Sequence, residues 1–231
     1  NSDFQLKVNQ NSLLAKRDTP SYPEIAGSET VRIDYPVVYD TESLKQLALA
    51  YPDFVFCLYI ENTTVQYPVV QAADNEYYLR KNMDGETNLS GTLFLDFRND
   101  RDKMRGNNIV YGHNMQNGTM FGLLKKYRDK SYYDSHSMIY TYTGEEVTAW
   151  KIFSAYVTTT ENYYIETYFD SDEDYLSFLN KLKADSLYDT GVSVTAQDDI
   201  LTLSTCHKYG DKAENGRFVV HAVRVGSSPL A

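Results

Sequence analysis

Cysteine is nearly absent: the two present, Cys57 and Cys206, permit at most one disulfide and exclude a disulfide-stapled scaffold. No stretch approaches the ~18 consecutive apolar residues that a membrane-spanning helix needs. Positive charge is scarce, with 22 Lys and Arg against 32 Asp and Glu and a net charge of −10. Such a chain repels a polyanion, which argues against nucleic acid as the main partner and favours a peptide or a cationic one. Internal repeats and low-complexity tracts are missing too, which removes support for a repeat architecture. The first residue is Asn1 rather than Met, so the expectation is either a soluble protein or one whose N-terminal targeting or anchoring segment lies outside this sequence.

What is present is ordinary globular material, 42% hydrophobic and 23% charged, enough for one substantial core with an appendage. Residues 1–30 are polar with weak periodicity and end among Pro20, Pro23 and Gly27, which reads as a stalk or helical lead-in. The domain proper is expected over 31–226, with 227–231 as a short tail. Asp40 or Thr41 can cap a helix whose Leu44, Leu47, Ala48 and Tyr51 share one face, and Pro52 stops it. From Phe54 onward come short apolar runs at 54–60, 65–70, 92–97, 108–112, 137–143, 147–157, 199–205 and 217–225. These predict a mainly β domain of eight strands, closed or nearly closed into a barrel.

Helices interrupt the pattern. A short one is expected over Asn75 to Lys81, and another after Gly118, where Met120, Leu123, Leu124 and Tyr127 recur at helical spacing. The clearest begins at Ser171, with Asp172, Glu173 and Asp174 suiting the N-terminal dipole and Tyr175, Phe178, Leu179 and Leu182 forming a buried stripe. That acidic start needs no metal, because 170–174 lacks the glycine and distal glutamate of a calcium loop. No metal site or cofactor is expected anywhere in the chain.

The chemistry concentrates in Thr202-Leu203-Ser204-Thr205-Cys206, a cysteine at the end of a strand-like run, with Arg217 beyond it. A thiol becomes a competent nucleophile only as thiolate, so it needs a base or positive charge nearby. Of four histidines, His113 stands where the apolar run through Val110 breaks into a Gly- and Asn-rich loop. His207 is adjacent to Cys206 and would point to the opposite face of an extended chain. His136 reads as a surface loop residue and His221 as half-buried strand structure. If the strands bearing Cys206 and Arg217 are hairpin neighbours, the guanidinium can donate to an oxyanion. On these grounds alone a core role for Cys57 and a disulfide between the two cysteines both remain open.

The set Tyr111-Gly112-His113-Asn114-Met115, Met120-Phe121, Leu201 to Cys206 and Arg217 resembles the sortases of Gram-positive bacteria, most closely class B, over about residues 30–225. The resemblance implies an eight-stranded sortase β-barrel with N-terminal helices and a long helix between the sixth and seventh strands. It also implies that His113, Cys206 and Arg217 are the catalytic residues. Substrate-groove positions carried over in the same way are Asn75, Leu79, Thr160, Tyr164, Ile165, Ser204 and Thr205, with His207 standing where some class B members have an acidic residue.

The implied activity is cleavage of a C-terminal sorting signal after threonine, with a thioester on Cys206 and transfer of the protein to an amine acceptor. The implied partners are sorting-signal peptides and a peptidoglycan precursor or cross-bridge amine. The implied place is the outer face of a Gram-positive membrane, held by an N-terminal anchor outside this sequence. A pilin-polymerising sortase, a hydrolytic cysteine peptidase and a non-enzymatic surface adhesion module, which the 21 tyrosines would suit, are the alternatives.

Overall fold

In the computed structural model, residues 31–160, 163–205 and 216–230 are described. Strands β1 (Phe54–Ile60), β2 (Gln66–Val70), β3 (Leu93–Leu95), β4 (Asn107–Gly112), β5 (Met138–Tyr142), β6 (Glu146–Thr159), β7 (Ile200–Thr205) and β8 (Gly216–Pro229) close into a barrel in the order β1-β2-β3-β4-β7-β8-β6-β5. The pairs β2–β3 and β4–β7 are parallel and the others antiparallel. Among the described residues, closure leaves no free sheet edge. The mainly β, eight-stranded barrel expected from the apolar runs is therefore the fold observed.

The two faces of β8 explain why its sequence reads as a nearly unbroken apolar run. Phe218, Val220 and Ala222 point into the barrel beside Trp150, Leu201 and Leu203. Val219 and Val223 point outward, where Tyr175, Phe178, Leu179 and Leu182 of helix α3 (Asp172–Ala184) cover them. A strand buried on both faces has no polar side to alternate with. Ser171 caps α3 by accepting from the Asp174 amide at 3.1 Å. A 13-residue helix is marginal alone in water, so α3 depends on docking, each of its four buried side chains contributing about 1.5–3 kcal/mol.

A third cluster lies under helix α1 (Thr41–Ala50), where Leu44, Ala50 and Tyr51 pack on Phe54, Cys57 and Tyr142. Asp40 is the N-cap, accepting from the Ser43 amide at 2.8 Å. Ala48 is exposed and Ala50 takes the buried place, one departure from the expected helical face.

Other departures have local causes. The expected helix at 75–81 is a single 3-10 turn, Tyr77–Leu79, started by Asp74 accepting from the amides of Glu76 and Tyr77. The one expected after Gly118 splits into a 3-10 turn, Leu124–Arg128, and helix α2 (Lys130–Ser135), separated by Asp129 in extended conformation. β3 ends at Leu95 because the Asp96 carboxylate binds the Arg98 amide and turns the chain. β8 runs on through Pro229, beyond the expected end near 225 and into the segment read as a tail, because Ser227 and Ser228 pair with Thr148 and Val147. Residues 1–30 and the stalk expected there lie outside the described residues.

Candidate active site

Parallel pairing of β4 with β7 sets the site. Their register runs from Asn107 opposite Ile200 to Gly112 opposite Thr205, so both strands leave the barrel at the same end and level. His113 is one peptide bond beyond Gly112, and Cys206 one peptide bond beyond Thr205. Cys206 itself and His207 lie outside the described residues. β7 pairs antiparallel with β8, which makes the two strands the neighbours anticipated for Cys206 and Arg217. Arg217 stands at the start of β8 opposite Thr158 of β6, at the same rim.

Gly112 is glycine for want of space: a Cβ there would lie 2.3 Å from Leu93 Cδ2 and 2.7 Å from a Phe121 ring carbon. Any side chain would push apart the strand end that carries His113. His113 is 7% exposed, and its Nε2 donates to the Leu79 carbonyl at 2.6 Å. A carbonyl can only accept, so this bond assigns a hydrogen to Nε2. The loop after His113 returns to it, the Phe121 amide donating to the His113 carbonyl at 2.9 Å. Arg217 is half-buried, and its Nη1 donates to the Gly216 carbonyl at 2.9 Å.

The remaining groove positions separate into two walls. On one, Leu79 is half-buried, while Asn75 donates to Asp96 Oδ2 at 3.0 Å and accepts from the Phe97 amide at 3.0 Å. On the other, Thr160 and Ile165 are half-buried and Tyr164 is buried with its hydroxyl 3.0 Å from Ser204 Oγ. Ser204 is fully buried, and Thr205 is buried with its hydroxyl accepting from the Phe218 amide at 2.9 Å. Both hydroxyls therefore serve bonds inside the protein.

His221 and His136 have structural roles. His221, expected to be half-buried, is 0% exposed because α3 and the segment before it close over that face. Thr202 donates to Asn107 Oδ1 at 2.6 Å, so its one hydroxyl hydrogen is used and it accepts from His221 Nδ1 at 2.8 Å. His221 Nε2 then accepts from the Tyr156 hydroxyl at 3.1 Å. Burial holds the ring neutral by lowering its pKa to about 3. His136 ends α2, stacked on Tyr132 with ring centroids 3.9 Å apart.

Cys57 is free, 3% exposed, and burial pushes its thiol up to about 12. The thiolate fraction at neutral pH is negligible, so Cys57 is core, and no disulfide joins it to Cys206. Iodoacetamide at pH 8 is expected to alkylate one cysteine in the folded protein and both in urea. Comparable labelling of Cys57 without urea would contradict its place in the core.

Three polar residues that organise the site escaped the sequence reading: Asp96, Arg98 and Asn107. The Asp96 side chain has no exposure, yet its carboxylate accepts from Arg98 at both oxygens, from Asn75, and from the Tyr111 hydroxyl at 3.0 Å. Burial alone would raise its pKa; the Arg98 side-chain and backbone bonds outweigh burial and hold it below the ordinary carboxylate value. Asn107 donates to the carbonyls of Tyr164 and Glu166 at 2.9 and 2.8 Å. A signal did exist, since an Asn pair opening a strand buried on both faces must find partners. Among the described residues no His/Cys/Asp/Glu cluster could hold a metal ion.

Comparison with known proteins gives a consistent result. The family model described as "Sortase domain" matches residues 58–225. Sortase B of Listeria monocytogenes is 40% identical over 179 residues, covering 78% of this chain and 72% of that protein. A Staphylococcus aureus sortase B–substrate complex is 34% identical with a TM-score of 0.75, covering 82% of this chain and 87% of the other. A sortase B solved in complex with triglycine is 36% identical with a TM-score of 0.72, covering 80% and 85%.

Proposed function

The chain belongs to the sortase family, in its class B branch, and from that premise we propose that Cys206, His113 and Arg217 carry out its cysteine transpeptidase reaction. The observation that carries the assignment is the β4–β7 register: Gly112 and Thr205 are paired at one barrel end, and the two proposed partners each follow by one residue. Neighbouring strands lie about 4.8 Å apart, a spacing that supports proton exchange between groups projecting from that rim.

In the proposed cycle the Cys206 thiolate attacks the carbonyl carbon of a threonine in the substrate's sorting signal. Arg217 and a backbone N–H stabilise the oxyanion. As the tetrahedral adduct collapses, the C–N bond breaks and His113 gives its proton to the leaving amine. The Leu79 carbonyl supports this role, since an acceptor on Nε2–H fixes the ring plane and leaves Nδ1 to exchange the proton. The product is a thioester on Cys206. An amine acceptor attacks it while His113 takes the proton, and a new amide bond releases the thiol.

Sortase B proteins have been solved with a substrate and with triglycine, which supports a sorting-signal peptide as donor and a cell-wall cross-bridge amine as acceptor here. The family is associated with the Gram-positive cell surface. No helix among the described residues is long and apolar enough to cross a membrane; attachment is proposed to come from a segment N-terminal to this sequence. Asn75, Leu79, Thr160, Tyr164 and Ile165 are proposed to face the peptide. Ser204 and Thr205 are proposed to act through the groove wall and strand end they hold, and His207 to meet substrate beyond the nucleophile.

The test is a peptide panel with Leu-Pro-x-Thr-Gly-like, Asn-Pro-x-Thr-x-like and Ser-Pro-x-Thr-Gly-like motifs, read by intact mass. At least one peptide is expected to leave its N-terminal part on Cys206, and added triglycine to convert the adduct to a peptide extended by three glycines. A reactive Cys206 thiol that no peptide acylates would defeat the assignment, and a product that triglycine never extends would identify a hydrolase instead.

A further inference from the structure

We propose that the Asp96–Arg98 pair is a positioning device that locks the two walls flanking the His113 and Cys206 strand ends into one register. The inference deepens the function proposed above and rests on it for its catalytic consequence, while the mechanical coupling stands on geometry alone.

The segment Tyr164-Ile165-Glu166 belongs to no strand, so its backbone carbonyls must find partners elsewhere. Three consecutive ones do so on side chains from the β3–β4 region: Tyr164 O and Glu166 O accept from Asn107 Nδ2, and Ile165 O accepts from Arg98 Nη2 at 2.9 Å. The same Arg98 binds Asp96 through Nε to Oδ1 at 2.9 Å and through Nη2 to Oδ2 at 2.8 Å. Asp96 Oδ2 in turn receives Asn75 and Tyr111. One unbroken chain of bonds therefore runs from the 163–166 wall, through Arg98 and Asp96, to the 75–79 wall.

Each end of that chain meets the reaction centre. Leu79, four residues from Asn75, holds the His113 ring by its carbonyl. Tyr164 holds Ser204, two residues before Cys206. Tyr111, on β4, lies two residues before His113. A buried carboxylate with several donors is rigid because losing any one leaves charge unsatisfied in a low dielectric. Only a planar fork can grip two carboxylate oxygens and a carbonyl together, which a lysine ammonium does not reproduce.

Arg98→Met and Arg98→Lys test this, since the Arg98 side chain is 35% exposed and its replacement opens no core cavity. Hydrogen exchange in both variants is expected to accelerate by about tenfold or more, the effect of losing one charged hydrogen bond, in two separate segments, 75–80 and 163–167, with α3 and β8 unchanged. With the best peptide of the panel, KM is expected to rise by about tenfold on the same basis, while iodoacetamide alkylation of Cys206, which needs no groove, keeps its rate. Should Arg98→Met fold poorly, Arg98→Lys carries both readouts.

Faster exchange confined to 163–167, or a lowered melting temperature with exchange at 75–80 and KM both unchanged, would overturn the coupling and leave Arg98 a local brace. Failure of the wild-type protein to acylate on any peptide would overturn the function and not the coupling, which the exchange measurement reads independently.

Discussion

Replacing His113 by alanine is expected to slow thioester formation on Cys206 by about 10²–10⁴-fold, the range for loss of a positioned general acid–base, with the melting temperature nearly unchanged. The stability cost is small because the ring's hydrogen bond to Leu79 O is worth about 1 kcal/mol. The two effects separate chemistry from folding. The pH profile supplies a second reading. A thiolate acting beside an imidazolium gives a bell: activity falls at low pH as the thiol regains its proton and at high pH as the ring loses its own. In the alanine variant the residual rate is expected to rise steadily with pH, following thiol ionisation alone. Acyl-enzyme formation within tenfold of wild type, or a bell that survives the substitution, would remove His113 from the mechanism.

The second large effect belongs to Arg217. Arg217→Lys keeps the charge and shortens the reach, so a merely electrostatic role would survive it. An oxyanion donor loses about 10²–10³ in rate when its geometry is removed, and the ammonium cannot replace a planar fork that also holds the Gly216 carbonyl. The expected outcome is therefore a fall in kcat of that size with peptide KM little altered, measured by single-turnover acylation. Arg217→Ala should be no worse than about tenfold below the lysine variant, since the charge itself is the smaller part of the effect in a hydrogen-bonded oxyanion site. Near-wild-type turnover in Arg217→Lys would show that the guanidinium does not meet the oxyanion.

Much of the fold was legible. Every strand was anticipated from a short apolar run, since both faces of strands such as β7 and β8 are buried and leave no polar alternation to blur the signal. The α3 helix was legible for the opposite reason, with a capping serine, three acids in its first turn and a single apolar stripe. The 75–81 and post-118 helices were overdrawn. Asp74 takes the Glu76 and Tyr77 amides, and the extended backbone of Asp129 interrupts the second helix, neither of which apolar periodicity registers.

At the site, His113, Cys206 and Arg217 stand out as isolated chemistry-bearing residues at strand ends. Asp96, Arg98 and Asn107 do not, because their partners lie as far as 95 residues away along the chain. A carboxylate and a guanidinium two residues apart after a strand read as an exposed loop pair; closure of the barrel and the 163–166 segment over Asp96 bury the carboxylate and leave Arg98 partly exposed as its bridge. His221 shows the same dependence, its neutrality following from a cover of helix and aromatic rings supplied by distant segments.

What the amino-acid order determined by itself was local: where strands begin and break, where α3 is capped, and which chemistry-bearing residues stand where apolar runs break. Backbone propensity and side-chain periodicity act over a few residues, so these are readable one window at a time. Only the tertiary structure decided that β4 and β7 run side by side in parallel, that Gly112 meets Thr205, and that an Asp–Arg pair joins the two walls beside them. Parallel pairing has no hairpin to announce it, and a buried carboxylate acquires its hold on its donors from the low dielectric the assembled barrel creates.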